Sequence, residues 1–295
     1  MSKLFEFKYR CNPKITDWNT SSVTNMNSMF NGESSYVVSA FNQPLNFDTS
    51  SVTTMTDMFH RAYAFNQPLN FTDTSNVTDM DFMFYEASAF NQPLDFDTST
   101  VKNMGFMFKN ASAFNQPLNF DTSKVLFMHE MFTHAKTFNQ PLNFTDTSSV
   151  LTMQQMFYNA SSFNQQLDFN TQNVVKMHFM FAFASAFNQP VEFDTHSVAD
   201  MTAMFYNATS FNQRFPDRFL MNSIVENPDD NEEVSNGYDY SYEFYSDISG
   251  DDERKRMCAF FAKNTNLSAT NVWHLCALAK ASGNEEFRST TCYKE

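Results

Sequence analysis

Residues 75–96 read SNVTDMDFMFYEASAFNQPLDF, and near-copies of this phrase follow one another as far as residue 213. The triplet Phe-Asn-Gln begins at 41, 65, 90, 114, 138, 163, 187 and 211, in steps of 24, 25, 24, 24, 25, 24 and 24 residues. Each longer step holds one extra threonine, Thr72 or Thr145, so that NFDTS becomes NFTDTS. A fixed period of this size is the signature of a stacked repeat array. The first unit is irregular: Trp18 stands in place of the NF phenylalanine, and NGESSYVVSA adds five residues before Phe41. An atypical first unit is expected of a cap.

Within each unit the apolar residues keep their places. A valine stands at 23, 52, 77, 101, 125, 150, 174 and 198, a methionine follows three residues later, and Met-Phe three after that. These columns use 16 of the 19 methionines. Leu and Phe two apart, as in Leu45 and Phe47, point to one face of a strand. Asp-Thr-Ser then turns the chain, its side chains bonding nearby backbone N–H groups. Val, Met, Met and Phe at i, i+3, i+6 and i+7 read as a short helical face, although Val-x-x-Met also fits a second short strand ending in a bend. Proline at 44, 68, 93, 117, 141 and 190 cannot donate to a ladder and belongs at a strand start or rim. The apolar side chains of one unit cannot offset the ordering of its backbone, so units must stack and share one Phe/Met core.

Composition narrows the function. A formal net charge of −14 opposes a nucleic-acid groove, which needs a basic surface. No run of 18 apolar residues exists to span a membrane. The start, MSKLFEFKYRCNPK, holds no apolar core of the length a signal peptide requires. Five scattered glycines build no phosphate loop, and no nucleophile stands beside a base in a recognisable motif, so no enzyme and no cofactor is expected.

The string DTSNVTDM…MFYEASAFNQPL resembles the BspA-like leucine-rich-repeat surface proteins, including the mycoplasma-type lipoprotein repeat. The spacing Thr-Ser-x-Val-x-x-Met-x-x-Met-Phe-x-x-Ala-x-x-Phe-Asn-Gln carries the resemblance over residues 15–221. It implies a right-handed leucine-rich-repeat solenoid of about eight 24–25-residue coils, with parallel β-strands and short helical turns. The implied role is adhesion or protein binding, and the implied location is the cell surface or outside the cell. MSKLFEFKYRCNPK departs from that family's pattern, and neither a signal peptide nor a lipid-attachment cysteine motif is expected within it.

The domain reading is a lead over 1–14, the repeat array over 15–221, an acidic linker over 222–252 and a short helical segment over 253–295. Residues 226–253 contain eleven Asp or Glu and no Lys or Arg, which reads as a solvated linker with a tyrosine-rich docking element. Helices are expected near 252–263 and 270–282, with Thr270 as N-cap and Gly283 as stop. Cys11, Cys258, Cys276 and Cys292 all lie outside the repeats and permit disulfides without requiring them.

Candidate sites compete with plainer readings. HEMFTH at 129–134 resembles a zinc HExxH, but its second histidine falls at i+5 and off the shared helical face. His129 and His178 share a column with Gln154 between them, too far apart for one ion. The methionine columns read as adaptable core filler rather than a copper site. The Asp column (Asp48, Asp73, Asp97, Asp121, Asp146, Asp194) suits turn capping better than calcium, although a calcium- or glycan-dependent adhesion module is the runner-up function. The favoured site is the variable position after each valine, which runs Thr24, Thr53, Thr78, Lys102, Leu126, Leu151, Val175, Ala199. With Phe127 and Phe179 in neighbouring columns, Leu126, Leu151 and Val175 form either an outward apolar stripe for a protein partner or cell-surface ligand, or part of the core.

Overall fold

The computed structural model describes residues 1–8, 10–32, 39–216 and 219. The acidic linker, the C-terminal helical segment and Cys258, Cys276 and Cys292 lie outside the described residues. Each 24–25-residue unit makes one coil, and successive coils lie side by side in parallel register. Asn25, Thr54, Asp79, Asn103, Phe127, Thr152, Lys176 and Asp200 form one row of parallel bridges, each to the next. A second row appears at Leu45–Leu69, Leu118–Leu142 and Leu167–Val191. In the first two pairs an exposed proline, Pro44 or Pro117, precedes the first bridged leucine, where the lack of an N–H costs no ladder bond; Gln166 takes that place before Leu167.

The local structure differs from the expected strands and helical turns. Every bridge is a single residue, and among the described residues there is no helix and no extended strand. The reason lies in how each coil divides its backbone N–H groups. Met55, Asp57, Phe59 and Arg61 donate to the carbonyls of Asp79, Asp81, Met83 and Tyr85 in the next coil, at 2.7–3.0 Å. The intervening Met58, His60 and Ala62 donate three residues back, to Met55, Asp57 and Phe59. A helix would need those same N–H groups for bonds four residues back, and the neighbouring coil takes half of them.

This alternation forces left-handed backbone twice per coil. The fifth and ninth residues after the valine, such as Asp57 and Arg61, or Phe82 and Glu86, adopt φ between 51° and 59° from Asp57 onward. A positive φ at the third residue of a four-residue turn is the type II arrangement, ordinarily given to glycine. Among the described residues seventeen non-glycine residues hold positive φ, four of the repeat ones being phenylalanine. Such residues cost on the order of 1–3 kcal/mol each and persist only where the surroundings over-determine them. The inter-coil bonds and the core supply that constraint.

The core is a set of phenylalanine columns. Phe30, Phe59, Phe84, Phe108, Phe132, Phe157, Phe181 and Phe205 stack with centroids 5.3–5.6 Å apart. The phenylalanine of each Phe-Asn-Gln triplet stacks on this ring within its own coil at 4.1–4.4 Å. Both methionine columns, and valine from Val52 onward, are buried beside them. Offset stacking adds to the area term.

Two polar ladders explain the rest of the repeated phrase. The Asn139 side-chain oxygen accepts the backbone N–H of Asn164 at 2.9 Å and the Gln165 amide at 3.0 Å. The same Asn-to-Asn bond runs from Asn12 through Asn42, Asn66, Asn91, Asn115, Asn139, Asn164 and Asn188 to Asn212. The buried threonine of Asp-Thr-Ser donates to the backbone of the following coil, as Thr98 does to Asp121 at 2.9 Å. The inserted Thr72 and Thr145 reach back to Asp48 and Asp121 of the preceding coil, at 3.2 and 2.9 Å.

Residues 1–8 run beside the first coil under the same rule. Lys3, Phe5 and Phe7 donate to Asn27, Met29 and Asn31 at 2.8–2.9 Å, and Phe5 stacks on Phe30 at 5.5 Å. At the opposite end Phe215 packs on Phe205 and Phe211, each at 5.6 Å.

Candidate docking face

The side chains that vary most from coil to coil share one side of the stack, at positions one, two, four and five after the valine. Valine and the methionine at position three point inward, which turns position one outward. The Leu126 N–H donates to the Lys102 carbonyl, Leu151 to Leu126 and Val175 to Leu151, at 2.8–2.9 Å. These three side chains therefore stand on successive rungs. Leu151 and Val175 are 40% and 39% exposed, Phe127 beside them is 37% exposed, and Leu126 is half-buried. The alternative that this column joins the core does not hold. Phe179 lies elsewhere on the same side: it is half-buried at φ 54° and sits edge-on to Tyr158 at 6.4 Å.

Sequence reasoning missed the neighbours that extend the stripe. Phe82 and Phe106 stack at 4.2 Å, Phe106 meets the His129 ring edge-on at 4.7 Å, and Phe127 meets the same ring at 6.3 Å. Gly105 makes this possible, because a methyl group there would stand 2.6 Å from His129 Cε1 and 3.0 Å from Asp81 Oδ1. The signal was present in the variability of positions four and five, but a helical reading of the segment scatters them around an axis.

Cross-coil polar pairs border this face. Lys109 and Glu130, both buried, pair at 2.5 Å, with the ammonium 5.2 Å from the Phe106 ring centre. Arg61 Nε and the Tyr63 hydroxyl both reach Glu86 Oε2, at 3.1 and 2.7 Å. His178 Nδ1 lies 2.8 Å from Asp200 Oδ2. His134 contacts the Asn159 amide at 2.8 Å, while His129 packs on Phe106. The two histidines of HEMFTH thus serve separate contacts, on a segment that forms no helix. Among the described residues no group of three or more His, Cys, Asp or Glu is arranged to hold a metal.

Titration of the face follows from burial. Burial, reinforced by Asp79 and Asp57, pushes the Asp81 carboxyl up to about 7. Its Oδ1 is buried without a hydrogen-bond partner among the described residues. Burial, with Lys109 nearby, lowers His129 and His134 to about 4, so both rings are neutral at physiological pH. In the Asp-Thr-Ser turns the Asp side chain accepts the N–H two residues on, as Asp97 does from Ser99 at 3.0 Å. Hydrogen bonds from Ser50, Ser75 and Ser123 hold Asp48, Asp73 and Asp121 below the usual carboxylate range. The Asp column therefore caps turns, as its sequence suggests.

Among the described residues no helix is long and apolar enough to cross a membrane. A family model described as Mycoplasma protein of unknown function, DUF285, matches residues 1–96, 94–168 and 145–231. No curated protein and no solved structure matches the chain.

Proposed function

The chain belongs to the Mycoplasma family of unknown function DUF285, and we infer that it is a non-catalytic repeat scaffold that binds a protein partner or cell-surface ligand. Its architecture is a leucine-rich-repeat-like solenoid of the BspA-like kind, a reading supported by the parallel register of its coils and the shared aromatic core. The observation that carries the function is the row Leu126, Phe127, Leu151 and Val175. Stacking dictates the buried columns and the two ladders, but no packing requirement places large apolar groups on an outward position. Contiguous exposed apolar surface of this kind marks contact sites. The adhesive role follows the same logic, since a long ladder presents many variable side chains on one side while its core stays constant.

The test is Leu151→Asp in the full chain. A partner cross-linked to the native protein and identified should lose most of its binding to the variant. The thermal midpoint should move little, because substitutions at exposed positions usually change stability by less than about 0.5 kcal/mol. Equal binding by both proteins, or unfolding of the variant, would refute the assignment.

A further inference from the structure

The last rung of the stack is unfinished in its hydrogen bonding. In the coil before it, Met177, Phe179 and Phe183 donate to Asp200, Thr202 and Tyr206, at 2.7–2.9 Å. The equivalent donors of the final coil are Met201, Ala203 and Asn207. Among the described residues none of these three N–H groups has an acceptor. Met201 and Ala203 are nevertheless fully buried. Buried N–H groups without an acceptor are rare in folded proteins, because each forfeits its hydration. The row therefore requires carbonyls from a further segment, spaced as in a coil. The residues next in phase do not continue the core. At 24 residues beyond Met201, Met204 and Phe205 stand Val225, Pro228 and Asp229.

The opposite end shows the form of such a segment. Residues 1–8, MSKLFEFK, make half a coil on the first one. The Met1 amine donates to Asn25 at 3.0 Å, and Lys3, Phe5 and Phe7 donate to Asn27, Met29 and Asn31. Lys3 and Phe7 hold φ of 60° and 57°, as the fifth and ninth positions of a coil do. The signature of this half-coil is Met-x-x-Leu-Phe, where a full coil has Met-x-x-Met-Phe. Three of the 19 methionines stand outside the repeat columns: Met1, Met221 and Met257. Met257 opens MCAFFAK at 257–263, which is Met-x-x-Phe-Phe. Met221 opens MNSIVENP, which puts Val225 in the ring position and Pro228 at the tenth. Proline there lacks the N–H that Ala62 gives to Phe59. It also drives the preceding ninth residue into extended backbone, away from the left-handed turn.

We propose that residues 257–263 return to the final coil of their own chain and close it as a half-coil. The carbonyls of Arg256, Cys258 and Ala262 accept the N–H groups of Met201, Ala203 and Asn207. Phe260 takes the second methionine column beside Met204, and Phe261 extends the ring column beyond Phe205, beside Phe215. The spacing that suggests a helix over 252–263 fits this conformation equally, since the coils carry the same spacing without a helix. Reach is no obstacle. Phe219 packs on Phe215 beyond the final coil, and residues 220–256 can span more than ~100 Å. Arg254, Lys255 and Arg256 ahead of the segment and Lys263 within it set charge along the outer edge, which opposes pairing with another chain. The last rung thus gains what residues 1–8 give the first. The stack then offers its variable side to a partner and does not lengthen by end-to-end addition of a second copy.

The experiment is a disulfide across the closing rung, in the full chain with Cys11, Cys276 and Cys292 replaced by serine. Thr202 is half-buried at the fourth position of its coil, and Cys258 takes the fourth position of the half-coil. On successive rungs their Cα atoms stand ~4.8 Å apart, a separation that a disulfide bridges. Thr202→Cys should therefore link to Cys258 within the monomer on mild oxidation. Thr209→Cys, exposed further round the same coil, should not. A link found only in a dimer would make a second copy the occupant. With Cys258→Ser, efficient linking of Thr202→Cys to Asn222→Cys would give the rung to residues 221–225. Either result overturns the proposal, as does the absence of a link or equal linking from position 209. Amide hydrogen exchange gives an independent reading. Phe261→Ser should speed exchange at Met201 and Ala203 at least tenfold and leave Met80 and Met104 unchanged; any other pattern counts against the half-coil.

Discussion

Replacing Asp81 by asparagine should stabilise the protein at neutral pH and leave it nearly unchanged in acid. The carboxyl is pushed up from 3.8 to about 7, first by burial and then by Asp79 and Asp57. Below pH ~4 the folded and unfolded chains both carry the proton, and Asp81 has no effect. Between 3.8 and about 7 the unfolded chain releases it while the folded chain retains it, so stability falls as pH rises. Above about 7 the loss is complete. At ~1.4 kcal/mol per pH unit the interval amounts to roughly 4 kcal/mol, and solvent relaxation around a partly exposed group reduces this to about 2–4 kcal/mol. Asparagine keeps the shape without the charge and should recover that amount. The assay is thermal denaturation followed by circular dichroism at pH 4, 6 and 8. A rise of several degrees at pH 8, shrinking toward zero at pH 4, is expected. A difference independent of pH, or a variant less stable at pH 8, would refute the account of Asp81.

Removing residues 101–124, one whole unit, should leave a cooperative melt, whereas removing 101–112 should abolish it by shifting every column out of register; equal loss from both would contradict the stacked array. Asn139→Ala should cost about 1–3 kcal/mol by urea unfolding, because the Asn164 N–H loses its acceptor, and Asn139→Asp should retain more of the stability than alanine does. If the Asp column only caps turns, a chelator leaves the melting temperature unchanged. A calcium-dependent rise that Asp97→Asn removes would favour the ion-binding alternative.

The parts of the molecule legible in the sequence are those set by burial. The Val, Met and Phe columns could be named from their spacing, because from Val52 onward the same residue types meet the same neighbours on every rung. The column of Leu126, Leu151 and Val175 was open between an outward stripe and the core, because a helical and an extended reading of the segment after valine place it differently; the exposure of Leu151 and Val175 decides it. The local conformation was not legible. Helix and turn place apolar residues inward at nearly the same intervals, and the choice between them is made by carbonyls 24 residues away. The left-handed residues carried no warning, since Phe82 and Phe106 are poor formers of that conformation and adopt it under constraint. Lys109 and Glu130 are 21 residues apart, so their pairing emerges only when coil geometry puts the eighth position of one unit beside the fifth of the next. Asn-Gln was visible as a period marker, but its ladder needed the rung spacing.

The division of N–H groups also bears on chain continuity. Each coil is bound to the coils on both sides by backbone bonds that do not depend on the peptide link between them. A protease cutting an exposed turn, such as Ser50–Ser51, would sever the chain without opening the stack. The Val52 and Thr53 amides would still hold the carbonyls of Thr49 and Thr24, and the flanking rings would stay in place. The two fragments of a nicked molecule should elute together under native conditions and separate only in denaturant. Integrity of the array is thus a property of contacts between coils, and a surface that suffers cleavage can continue to present the same face.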